Sequence, residues 1–270
     1  MKFSVLMSIY HKEKSEYFNR AMQSIWDEQT IKPDEIVLVQ DGPLTDDLYK
    51  SIDEWKTKLK DNFIVISLEK NVGLGSALNK GIKHCSYELI ARMDTDDISL
   101  PKRFEKQLKA FEEKDIDVCS AFISEFENDE NKILSYRKLP ENHEDIVKYS
   151  KMRTPINHAV TMFKKSVVEQ AGGYKHMLWM EDYYLCVRMI INGAKFYSLQ
   201  DTLLNVRAGN SILVRRGGMA YVKAEVTFLT ELRRIGYLTT SEYLKNILIK
   251  VPIRLLPKGL LKYVYSLLRN

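Results

Sequence analysis

The chain has 270 residues, 45% hydrophobic and 29% charged, with a formal net charge of +5. That length buries a sizeable core in one large α/β domain or two small ones, and the composition is ordinary for a soluble globular protein. Three widely spaced cysteines, Cys85, Cys119 and Cys186, exclude a disulfide framework and a cysteine zinc site and point to a reducing cytoplasm.

No secretory signal is legible at the N-terminus, and no apolar run reaches the roughly 18 residues of a membrane span. Charge is unevenly placed. Leu203 to Asn270 holds twelve Lys/Arg against three Glu, a net +9 that leaves −4 for the remainder. An acidic body with a basic tail predicts different partners for the two parts.

Strand and helix patterns alternate through the first half, as in a parallel sheet with helices packed on it. Phe3 to Ile9 reads as a buried strand. The apolar positions Phe18, Ala21, Met22, Ile25 and Trp26 then mark one face of a helix. Ile36 to Gln40 is a second strand, stopped at Asp41-Gly42-Pro43. Phe63 to Leu68 is a third, Leu74 to Lys83 a short helix, and Glu88 to Met93 a fourth strand. Pro101 opens a helix to about Lys114.

The second half is less regular. Val118 to Phe126 and Lys132 to Arg137 form a predicted hairpin. Ala159 to Phe163 and Ala194 to Leu199 read as strands, and Glu181 to Asn192 as a helix. Beyond Arg207 the chain is basic and helical.

The fourth strand runs into Asp94-Thr95-Asp96-Asp97. Three carboxylates in four positions repel one another, and a cation offsets that repulsion. Oxygen ligands suit magnesium or manganese, and those ions suit a diphosphate. A bare D-x-D is expected about once by chance in a chain this rich in Asp, and Asp115-Ile116-Asp117 is read as that accident. The D-x-D-D cluster is rarer, and it lies where ligands bind in α/β sheets, beyond a strand's C-terminal end.

Asp41 follows another strand and shares that edge, although a turn Asp before Gly needs no function. The glycines between Asn71 and Gly81 precede a helix and could turn backbone N–H groups toward a diphosphate, without the ending of a P-loop. Glu181-Asp182 opens a helix, where acids also complement the dipole; one of them is a candidate general base. The isolated His158 is balanced between a structural and a functional role.

In this order the motifs resemble the family 2 inverting glycosyltransferases of the GT-A fold, especially bacterial enzymes of O-antigen, capsule and exopolysaccharide assembly. Ser8-Ile9-Tyr10-His11 stands for the family's P-x-Y-N, keeping only Tyr10, and Gln40-Asp41-Gly42-Pro43 for its D-D-G-S. Asn71, Gly73, Ala77, Asn79 and Gly81 follow N-x-G…A-x-N-x-G. Asp94 to Asp97 with Pro101, Gly172-Gly173-Tyr174 and Glu181-Asp182 match later motifs. The likeness spans about Phe3 to Val206.

The resemblance implies a Rossmann-like, mostly parallel sheet with flanking helices as catalytic domain 1–206, nucleotide-binding over 1–100 and acceptor-binding over 101–206. A basic helical region, 207–270, follows. It implies Mn2+ or Mg2+ on Asp96, Asp97 and Asp94, and donor contacts from Tyr10, Glu13, Asp41, Asn71, Gly73, Asn79, Asp94, Thr95, Arg207 and Arg215. Tyr10 and Asp41 would hold the base, and Asp94 the ribose or a metal water. Arg207, Arg215 and Arg216 would close over the diphosphate unless they form only a solvated loop. Asp182, with Glu181 beside it, would be the catalytic base. The donor would be a nucleotide sugar, with UDP favoured, and the acceptor a polyprenyl-diphosphate-linked saccharide or an oligosaccharide.

In Lys258 to Arg269 the residues Leu260, Leu261, Val264, Leu267 and Leu268 cover one helical arc and Lys258, Lys262 and Arg269 the other. That pattern fits an anionic membrane surface, with a packed helix as the plainer alternative. Upstream, Pro252 and Pro257 are expected to break the apolar run from Tyr243 to Leu256. A sugar-nucleotide pyrophosphorylase would want a glycine-rich loop after the first strand, and Ser8 to Glu13 has none. A nucleic-acid-binding module on the basic tail would leave the Asp cluster without a purpose; no nucleic-acid partner is expected.

Overall fold

The computed structural model describes residues 1–208, 217–257 and 259. Strands β1 (Phe3–Ile9), β2 (Glu35–Gln40), β3 (Phe63–Ser67) and β4 (Leu89–Arg92) pair in parallel in the order β3-β2-β1-β4. Every residue of β2 is buried, as expected where helices cover both faces. Alternation assigns the faces. Val5, Met7 and Ile9 of β1 and Ile36 and Leu38 of β2 pack with helices α1 (Ser15–Trp26) and α2 (Asp46–Leu59). Leu6, Val37 and Val39 pack with Ala77, Leu78 and Ile82 of α3 (Leu74–His84) on the other side. Helix α2 goes beyond the predicted elements; it buries Leu48, Ser51, Ile52, Trp55 and Leu59 along one face.

The second half reverses direction. It contains β5 (Ile98–Ser99), α4 (Arg103–Glu113), β6 (Val118–Phe126), β7 (Ser135–Arg137), α5 (His143–Ser150), β8 (Met162–Lys164), α6 (Lys165–Gln170), α7 (Glu181–Ile191) and β9 (Phe196–Arg207). Strand β8 is antiparallel to both β4 and β6, and β6 is parallel to β9. The nine-stranded sheet is therefore parallel on the first side and mixed on the second. No break divides it at residue 100.

The predicted hairpin forms, with Ile123 opposite Arg137. The strand expected from Ala159 begins instead as a 3-10 turn at His158–Val160 and pairs only from Met162. The strand expected to stop at Leu199 runs on to Arg207, crossing polar Gln200 and Asp201 where its register with β6 shifts. That extension matters, because it carries Arg207 to the Asp cluster.

Two helices close the described chain, α8 (Met219–Arg234) and α9 (Thr240–Leu255). Phe228, Leu229 and Leu232 of α8 pack on Tyr183, Tyr184 and Val187 of α7. A capping box starts α9, with Thr239 Oγ1 accepting from the Glu242 N–H at 3.2 Å and Glu242 Oε2 accepting from the Thr239 N–H at 2.8 Å. Pro252 does not break this helix as expected. It lies in the last turn, on the exposed side, and forfeits only the bond to the Leu248 carbonyl. No helix among the described residues is long and apolar enough to cross a membrane. The segment Lys258 to Arg269, apart from Gly259, lies outside the described residues.

Candidate active site

The C-terminal ends of β1, β2 and β4 share one edge because the three strands are parallel and adjacent. Asp41 follows β2, and the Asp94 to Asp97 turn follows β4. Asp41 is buried, and its carboxylate accepts the N–H groups of Val72 at 2.7 Å and Gly73 at 3.1 Å. Asn71 Nδ2 donates to the Asp41 carbonyl at 3.2 Å. Gly42 lets these loops touch: its φ is +89°, and a Cβ there would fall 2.6 Å from the Asn71 nitrogen. Asp41 thus holds the 71–73 loop at the mouth of α3, beside the half-exposed ring of Tyr10.

The Asp cluster is not three equivalent acids. Buried Arg92 donates both guanidinium NH2 groups to the two oxygens of Asp94. Asp94 therefore arrives already neutralised, better suited to a ribose hydroxyl or a metal-bound water than to direct coordination. Thr95 donates to Glu13 Oε2 at 2.6 Å, tying the turn to the segment after β1.

Asp96 and Asp97 have no cation partner among the described residues. Burial, and then the charges of Asp94 and Glu13, push Asp96 up to about 7. Asp97 is only 2% exposed and is held well above the usual carboxylate range by burial, then by Asp94 and Asp96. Its Oδ1 accepts the Arg207 N–H at 2.9 Å, while its buried Oδ2 has no hydrogen-bond partner.

Those properties fit a divalent cation. Among the described residues, no three His, Cys, Asp or Glu side chains converge into a complete cage. Magnesium-type sites commonly use one or two carboxylates and leave the other positions to water and substrate phosphates. Asp115 and Asp117, the accidental D-x-D, instead pair with Lys195 and Lys164 far along the chain from this turn.

Arg207 links the two halves at this point. Its backbone binds Asp97, its Nε donates to the Asp96 carbonyl at 3.3 Å, and its guanidinium lies 3.8 Å from the Tyr17 ring centre and 4.6 Å from that of Phe126. It buttresses the Asp94 to Asp97 turn as well as standing beside it. Arg215 and Arg216 lie outside the described residues.

Asn79 is tied into the fold by its side chain. Its Oδ1 accepts the Tyr174 N–H and its Nδ2 donates to the Tyr174 carbonyl, both at 2.7 Å. One donor and one acceptor of the amide thus clamp α3 to the Gly172-Gly173-Tyr174 turn. Arg188 of α7 holds the same turn through the Ala171 and Gly173 carbonyls. The clamp brings Glu181 against α3: a Cβ on Gly75 would lie 3.6 Å from Glu181 Cγ.

Burial raises the pKa of Glu181, while Asp182 Oδ1 accepts the Tyr183 N–H at 2.7 Å. His158 is structural. Its Nε2 is 2.7 Å from the Tyr174 hydroxyl, and burial, then the charge of Arg92, keeps the ring neutral.

Arg92 and Arg103 were not singled out from the sequence. Arg103 is fully buried beneath the cluster, donating to the Arg92 carbonyl at 2.6 Å, and burial lowers it to about 9. One signal was available: an Arg inside an apolar strand needs a partner, and Asp94, two residues on, extends from the same face.

The fold, with buried acids beyond the C-terminal edge of its parallel strands, is that of a glycosyltransferase. The chain belongs to Glycosyl transferase family 2, whose family model matches residues 4–170. It is 39% identical over 268 residues to the amylovoran biosynthesis glycosyltransferase AmsE of Erwinia amylovora, covering 98% of each chain. It is 36% identical to the UDP-Gal:alpha-D-GlcNAc-diphosphoundecaprenol beta-1,3-galactosyltransferase of Escherichia coli, covering 98% of this chain and 95% of that one. Among solved structures, the mannosyltransferase PcManGT of Pyrobaculum calidifontis, in complex with GDP-Man and Mn2+, superposes with a TM-score of 0.64 at 15% identity. That match covers 86% of this chain and 64% of the other, and it bears on fold alone.

Proposed function

We propose that this glycosyltransferase moves a hexose from a UDP-sugar, with inversion, onto the sugar of a polyprenyl-diphosphate-linked acceptor in cell-surface polysaccharide assembly. The observation that carries the reading is the buried pair Asp96 and Asp97, which form no salt bridge among the described residues while Asp97 keeps an unpartnered carboxylate oxygen. The printed activity of the Escherichia coli relative, with its UDP-sugar donor and diphosphoundecaprenol-linked acceptor, supports the donor and acceptor classes.

Asp41 and Tyr10 hold the base, and Asp94 takes the ribose or a metal-bound water. Asp96, supported by Asp97, would hold Mn2+ or Mg2+, which supplies charge neutralisation for the departing diphosphate. Asp182 accepts the proton of the acceptor hydroxyl as its oxygen attacks the anomeric carbon from the face opposite the diphosphate. Incubation with Mn2+ and a panel of nucleotide sugars should give slow hydrolysis of a UDP-sugar, accelerated by acceptor and lost in excess chelator. A pyrophosphorylase would instead exchange pyrophosphate into a nucleoside triphosphate.

A peripheral position on the inner face of the cytoplasmic membrane fits this acceptor. Supporting it, α9 leaves Leu244, Leu248, Ile249 and Leu255 exposed, Leu248 at 74%, with Lys245 among them. The protein should sediment with anionic vesicles at low salt and less as salt rises, each basic residue near the surface contributing about 1 kcal/mol. Replacing Lys258, Lys262 and Arg269 by Glu should leave it in the supernatant. Failure of the unaltered protein to bind at low salt would remove the membrane from the proposal.

A further inference from the structure

Of the three tryptophans, Trp26 and Trp55 pack against the core. Trp179 does not. Two residues before Glu181, it keeps 51% of its surface exposed. Its backbone has φ +62°, and among the described non-glycine residues only Lys60 also has a positive φ. Side chains with a Cβ are strained there, and such strain persists only where the surroundings enforce it. Here it does not bury the indole.

The enforcing contact comes from the C-terminal helices. The Trp179 ring stacks on Tyr221 of α8, with centroids 5.3 Å apart and planes 12° from parallel. The Tyr221 ring is backed in turn by the Arg254 guanidinium of α9, 4.6 Å away. Arg254 and Lys250 meet buried Glu225 of α8 at 2.7 and 3.3 Å, fixing α9 to α8 behind the tyrosine. A separate groove of about 390 Å³ lies around His143. A smaller one, about 350 Å³, runs from Met177 along Val226, Thr227 and Thr230 of α8, adjoining the indole in sequence.

A flat, propped aromatic ring with open surface suits a pyranose. The axial C–H groups of a sugar carry partial positive charge and meet the negative face of the ring. We propose that Trp179, held by Tyr221, is the platform for the sugar ring of the acceptor, placing its hydroxyl toward Asp182. The inference rests on the proposed transferase reading. It gives α8 and α9 a part in acceptor binding, although they lie outside the matched residues 4–170.

The test uses the full chain and short-alkyl diphosphates bearing N-acetylglucosamine, glucose or galactose. Trp179→Ala and Tyr221→Ala should raise the KM for whichever acceptor is used by about tenfold, with a much smaller change in kcat. Trp179→Phe should recover most of the loss. Binding of UDP with Mn2+ serves as the check on folding. Adding the acceptor should change tryptophan emission, and the change should disappear in Trp179→Phe.

An unchanged acceptor KM in a folded Trp179→Ala overturns the platform. So does an emission change elicited by sugar-free anionic vesicles but by none of the sugars, which would make Trp179 a membrane anchor. If no nucleotide sugar is turned over but the saccharides still perturb Trp179, the transferase reading fails and the platform stands.

Discussion

Asp96→Ala should abolish sugar transfer and remove the strengthening of nucleoside diphosphate binding by Mn2+, with the fold intact. The side chain is half-buried at the end of β4, so its loss leaves no core cavity. Asp94 cannot replace it, being engaged by Arg92. Proton and metal compete for the same oxygens. Because Asp96 is raised to about 7, the metal-free protein keeps the benefit of its protonated form at low pH and loses it as pH rises through about 7. Mn2+ should therefore raise the melting temperature more at pH 8 than at pH 6, and Asp96→Ala should remove most of the difference. Full turnover in excess chelator would refute the metal-dependent mechanism.

If Asp182 is the proposed base, Asp182→Asn should reduce turnover by a factor on the order of a hundred or more, because the amide keeps the shape but cannot accept a proton. Donor binding should hardly change, since the donor loops lie around Asp41 and Asp96. The paired control is Glu181→Gln. Burial raises Glu181 and its side chain faces the first turn of α3, so its substitution should be the milder. If Glu181→Gln stops turnover and Asp182→Asn does not, the roles are reversed.

The four parallel strands were legible because each is a compact apolar run closed by a turn, and helices on both faces reward such runs. The Asp cluster was legible because charge repulsion at a strand end is visible in one dimension. Other features depended on distant partners. The two residues of β5 carry no period and form a strand only because β9 lies opposite them. The polar Gln200-Asp201 step hid the continuation of β9. Helix α2 had a readable face in Leu48, Ile52, Trp55 and Leu59, obscured by nine polar or charged neighbours of its fourteen residues.

At the site, Asn79 fitted a motif, but its bonds to Tyr174 are a matter of tertiary geometry. The backbone conformation of Trp179 has no signature in composition. The difference between Asp94 and Asp96 depends on which of them the buried guanidinium meets.

Pairing of β5 with β9 sets Ile98 opposite Asn205 and Ser99 opposite Leu204, and the next contact in that direction is the Arg207 N–H on Asp97. The Asp94 to Asp97 turn of the first half is thus shaped on a template from the far end of the second. A chimaera joined near Pro101, carrying the second half of another family member, would import a foreign template for the Asp94 to Asp97 turn. Recombination keeps the shape of that turn only where the incoming segment reproduces the backbone from Leu204 to Arg207, which ties the evolution of one half of the sheet to an acidic loop in the other.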